Sequence, residues 1–137
     1  MAHTYDSIQI GDSFSCRRFI SRDDVATFAR ISGDDNPIHI DDEVARDTGF
    51  DRPVVHGVLL LGVISKLLGH DFPGPGSIAV SLAVKFLRPV YVDTEVLVTV
   101  KITEKMESRR YVKGKVSVRV DDRLVLGGEA SLVPPSG

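Results

Sequence analysis

Asp34 and His39, five positions apart in a chain of 137 residues, are the side chains best placed to move a proton. They bracket the stretch Asp34-Asp35-Asn36-Pro37-Ile38-His39, which directly follows Gly33. Asn36-Pro37 cannot continue a helix, and the proline stiffens the loop. A carboxylate and an imidazole on so stiff a loop can converge on one point, hold a water there and pass protons to and from it. Asn36 is suited to tie the loop down through its backbone. A further component follows at Val55-His56-Gly57, just ahead of an apolar run. In the first turn of a helix the Gly57 N–H has no helical acceptor and lies at the positive end of the dipole. A carbonyl oxygen gaining charge there would be stabilised as in an oxyanion hole. By residue type alone Asp, Asn and Pro are ordinary turn formers, and a loop histidine commonly just finds a polar partner. Spacing, not composition, carries the chemical reading.

Elements on either side must position this loop. Ser21-Arg22-Asp23-Asp24 followed by Val25, Phe28, Ala29 and Ile31 predicts an amphipathic helix capped by Ser21 and stopped by Gly33. Asp41 or Asp42 starts a second short helix that ends at Gly49. Across 57–68 the apolar residues, among them Val58, Leu60, Val63, Ile64 and Leu67, lie on nearly every side of a helix ended by Gly69. Such a helix requires burial all round. Segments 78–86, 96–102, 116–120 and 124–132 alternate with period two and read as strands, and Cys16 falls in a further strand-like stretch. The short breaks at 88–93, 107–109 and 121–122 argue for an antiparallel sheet with one buried face.

Curling the sheet around the apolar helix satisfies both. The expectation is an α+β chain forming a single hot-dog domain over residues 1–137, with a flexible tail at 134–137. One sheet cannot fully enclose the helix, and its last strand leaves an open edge. Pairing with a second copy, as a homodimer or an assembly of dimers, is the expected remedy. A formal net charge of −2 excludes a broad pull on nucleic acid or anionic membrane. The longest apolar run, 54–68, is interrupted by His56, Ser65 and Lys66 and falls short of the ~20 apolar residues of a membrane span. No basic-then-apolar leader pattern opens the chain. The lone Cys16 allows no intrachain disulfide, so the sequence reads as cytoplasmic.

Asp34-Asp35-Asn36-Pro37-Ile38-His39 with downstream Val55-His56-Gly57 resembles the signature of the MaoC-like, or type 2, (R)-specific enoyl-CoA hydratases, whose pattern is Asp-x-Asn-Pro-(Leu/Ile)-His. The similarity extends over nearly the whole chain, including the apolar helix and Phe86-Leu87-Arg88-Pro89-Val90. It implies reversible hydration of an enoyl thioester without metal or redox cofactor, with coenzyme A or acyl carrier protein as part of the substrate. Carried over by position, Asp34 and His39 are the water-activating pair, Asn36 supports the loop, Gly57 is the oxyanion donor and Ser65 lies near the pair. His56 orients the turn before the helix and, with Arg88, borders the substrate; Arg88 or the basic run after Lys101 could meet coenzyme A phosphates.

Alternatives within this fold are a 3-hydroxyacyl-carrier-protein dehydratase and an acyl-CoA thioesterase. The thioesterase usually places a carboxylate on the central helix, and 57–68 contains no Asp or Glu. A non-catalytic acyl-CoA-binding module would gain nothing from having Asp34 and His39 together. Lys113, Lys115 and Arg119 share one parity, opposite to Val116 and Val118, and read as the solvated face of a strand. His3 and His70 read as surface residues, Cys16 has no base beside it in sequence, and no metal-ligand spacing is evident.

Overall fold

The period-two alternation becomes a sheet with one dry face: Val96, Val98, Val100 and Ile102 along one strand are fully buried. The computed structural model describes residues 2–136. Strand β1 (Ser13–Ile20) leads into helix α1 (Arg22–Ser32), then a 3-10 turn at Pro37–His39, helix α2 (Asp42–Asp47) and helix α3 (Gly57–Lys66). Strands β2 (Ile78–Phe86), β3 (Thr94–Met106), β4 (Tyr111–Val120) and β5 (Arg123–Val133) complete the chain. All pairings are antiparallel, and the strand order is β1-β3-β4-β5-β2. The buried face is continued by Val112, Val116 and Val118 on β4 and by Leu126, Ala130 and Leu132 on β5. Leu60, Val63 and Ile64 of α3 join the same cluster. This is the hot-dog fold. No helix among the described residues is long and apolar enough to cross a membrane.

As expected of one curled sheet, the central helix keeps an open side, where Val58 is 58% exposed. Two expectations need correction. Gly69 does not end this helix, since the chain runs on through a π-helical turn at Leu67–Asp71. There the Phe72 N–H bonds to the Leu67 carbonyl at 2.8 Å and keeps Leu67 and Leu68 in the core. At the C-terminus Pro134 is buried and Pro135 packs against Gly76, so these two tail residues are held by contacts. Gly137 lies outside the described residues.

β2 is an edge strand, and a register shift between Ala79 and Ser81 interrupts its pairing with β5. Ile78, Val80 and Phe86 are all left exposed along it. The β2–β5 contact itself is tight. A Cβ on Gly128 would overlap the Ala83 carbonyl oxygen and lie 2.7 Å from Val84 Cα.

α1 begins as expected. Ser21 Oγ accepts from the Asp24 N–H at 3.0 Å, and the Asp24 carboxylate accepts from the Ser21 N–H at 2.9 Å, a reciprocal capping box. The Ser21 backbone bond is the largest of the effects holding the Asp24 carboxyl below its usual range. That share of stability is present above the unfolded-state value of about 3.9 and is lost as pH falls through the lower folded value. Ser21→Ala is expected to cost about 1 kcal/mol, seen as a Tm lower by about 4 °C in thermal unfolding at neutral pH. An unchanged Tm would show that the cap contributes nothing.

Candidate active site

Gly33 ends α1 in the left-handed region at φ 80°, returning its N–H to the Ala29 carbonyl at 2.9 Å. That reversal launches the loop, and short-range bonds then shape it. Asp34 N–H donates to Ser32 Oγ at 3.0 Å, Asn36 N–H to Asp34 Oδ1 at 3.3 Å and Ile38 N–H to Asn36 Oδ1 at 3.3 Å. Asn36 therefore caps the 3-10 turn that Pro37 opens, which is how its side chain supports the loop.

The turn delivers His39 inward. Its ring is buried, and Nδ1 lies 2.6 Å from the Val54 carbonyl oxygen. A carbonyl can only accept, so Nδ1 carries the proton and Nε2 offers a lone pair. Asp34 stays exposed, with its carboxylate at the same point. The loop thus presents a proton acceptor and a second acceptor that can orient a water.

A third group joins them. One donor atom each of Asp34, His39 and His56 lie within 4.8 Å of one another. The His56 ring stacks on His39 at 3.8 Å between centroids and 24° between planes, while Phe28 packs on it at 4.7 Å, tilted by 57°. Sequence reasoning separated His56 from this pair, because sixteen residues lie between it and His39 and no spacing rule links them. The trio could in principle hold a cation, but imidazole lone pairs lie in the ring plane. Two stacked rings send them nearly side by side instead of onto one tetrahedral centre. The arrangement suits protons.

Gly57 opens α3 beside this group, and the His56 side chain forms no cap there. α1, the 3-10 turn and α2 all have side-chain caps, from Ser21, Asn36 and Asp41. The uncapped N–H groups of α3 are left for a developing negative charge. A Cβ at position 57 would come within 2.6 Å of Phe86 Cε1, so a larger residue fits there only if that ring shifts. The Gly57 backbone borders a cleft of about 390 Å³ whose other walls include Val58, Phe86, Leu87 and Arg88.

The remaining candidates are placed as follows. The Arg88 guanidinium donates to the Leu124 carbonyl at 2.8 Å, so it braces β5 while bordering the cleft. Ser65 is exposed on α3, eight residues and so about 12 Å along the axis from Gly57. Burial pushes the Cys16 thiol upward, more than Lys66 lowers it, which disfavours a thiolate. His3 is no free surface residue, for its ring packs edge-on against Phe72 at 4.9 Å. His70 is exposed and bonds to Asp71 at 2.8 Å.

A hot-dog fold carrying a loop-borne carboxylate–imidazole pair beside an uncapped helix N-terminus defines the class. Residues 8–123 match the family model described as MaoC like domain. The (R)-specific enoyl-CoA hydratase of Rhodospirillum rubrum is 35% identical over 134 residues, covering 98% of this chain and 93% of that one. The solved (R)-hydratase from A. caviae superimposes with a TM-score of 0.91 at 35% identity, covering 94% and 98% of the two chains. The unliganded R-hydratase of Pseudomonas aeruginosa gives a TM-score of 0.94 at 29% identity, covering 99% and 88%. The chain belongs to the MaoC-like hydratase and dehydratase family.

Proposed function

We infer that this protein is a hydro-lyase that reversibly adds water to trans-2-enoyl-CoA, giving (3R)-3-hydroxyacyl-CoA. The observation that carries this reading is the meeting of Asp34 with His39, whose Nδ1 is held by Val54, beside the uncapped start of α3. The thioester carbonyl accepts from the Gly57 N–H, which draws electrons from C3 and stabilises the enolate. His39 takes a proton from a water oriented by Asp34, the water oxygen bonds to C3, and the proton is delivered to C2. No metal or redox step is needed. Both proton-handling groups approach from one face, so addition is syn. Any contact from Ser65 falls further along the acyl thioester than the carbonyl. The relatives' names support the R configuration.

Incubation with trans-2-enoyl-CoAs of graded length should consume the conjugated double bond. Chiral analysis of product formed in deuterated water should show 3R configuration with syn deuterium at C2. An S product would reject the family assignment, and anti addition the one-loop mechanism.

The unit that works is proposed to be a homodimer or an assembly of dimers, placed in the cytoplasm. Support comes from Ile78, Val80 and Phe86 exposed along edge strand β2 and from Val58, exposed on α3. Sedimentation at micromolar concentration should show a species of at least twice the 15.0 kDa chain mass. A species of chain mass alone would refute the assembly.

A further inference from the structure

We propose that His56 is a positioning residue for the catalytic pair, and that its hydrogen bond to the Asp34 carbonyl is what carries its kinetic effect. This rests on the hydratase reading and adds a residue to it. His56 is 2% exposed at the head of the core helix, whereas Asp34 is exposed on its loop. Nε2 of the one donates to the backbone carbonyl of the other at 2.9 Å, across 22 positions of sequence. Two rings pack on it, His39 stacked at 3.8 Å and Phe28 tilted at 4.7 Å, which restricts its turning.

Two details distinguish this from a histidine that merely fills space. Its Nδ1 is buried and has no partner among the described residues. Among the described residues the ring's one hydrogen bond is therefore the one to Asp34. The loop is also tethered unevenly. Its C-terminal half is fixed to Val54 twice, by His39 Nδ1 and by the Ile38 carbonyl. At Asp34 the other bonds run only to near neighbours among the described residues, Ser32 at the end of α1 and Asn36 within the loop, and neither reaches α3. His56 therefore ties Asp34 to the start of α3, and the next residue, Gly57, supplies the N–H for the carbonyl oxygen. Two adjacent residues thus set the distance between the proton-transfer groups and the oxyanion position. A misplacement of about 1 Å at such a site can cost about 100-fold in rate.

The test compares H56Q, H56N and H56F by crotonyl-CoA kinetics and thermal unfolding. The longer amide of glutamine reaches the Nε2 position and the Asp34 carbonyl, the amide of asparagine falls short, and phenylalanine keeps a ring without a donor. H56Q should keep kcat within about 10-fold of the parent, while H56N and H56F lose about 100-fold in kcat with KM changed less than about 3-fold. H56Q and H56N should melt at similar temperatures. Folded H56N turning over like the parent would overturn the proposal, as would H56Q falling as far as H56N. A parent protein inactive on every enoyl-CoA would instead sink the hydratase reading, and this role with it.

Discussion

Asp34→Asn should lower crotonyl-CoA hydration by about 1,000-fold, within the range that one positioned acid or base supplies. It should do so with little change in Tm, because Asp34 is exposed and, among the described residues, its carboxylate is bonded only to the neighbouring Asn36 N–H. The backbone carbonyl that His56 holds is untouched by this change. His39→Ala should lose activity to a similar extent but also cost stability, for its ring is buried against His56 and bonded to Val54. Leaving the Val54 carbonyl unpaired accounts for about 1–3 kcal/mol of that cost. Turnover measured on variants shown to be folded checks both. Folded Asp34→Asn with near-parental turnover would refute the pair.

Gly128→Ala should produce the largest loss of stability. The added Cβ meets backbone, the Ala83 carbonyl oxygen and Val84 Cα, so no side chain can swing aside. β5 must separate from β2 or bend, at a cost of about 3 kcal/mol or more. Gly57→Ala makes a useful contrast, since there the obstacle is the outer end of the exposed Phe86 ring, which can move. Denaturant unfolding of both variants should show a much lower midpoint for Gly128→Ala. Equal midpoints would mean that the strands yield as easily as the ring.

The features legible in the sequence were those encoded locally. Ser21 and Gly33 delimit α1, Asp41 caps α2, and Asn36-Pro37 builds the turn, because each acts through bonds spanning a few residues. The buried valines of β3 showed in their alternation. What stayed hidden depends on partners distant in sequence. Neither the stacking of His56 on His39 nor the burial of His39 follows from any local pattern. Gly128 reads as an unremarkable strand glycine until β2 is laid against it. Val58 could not be singled out as the open side of α3, because a helix apolar all round does not mark which face the sheet leaves uncovered.

The excursion between β1 and α3 has a consequence for how new activities arise on this scaffold. On the proposed reaction the head of α3 holds the thioester, whereas the proton chemistry is borne by residues 34–39, inserted between two core elements. Few polar bonds tie those six residues to chain distant in sequence: His39 and Ile38 to Val54, and Asp34 to His56. Grip and chemistry therefore sit on separate parts of one chain. Rewriting the inserted loop would leave the grip in place and offer the same activated thioester to a different reaction.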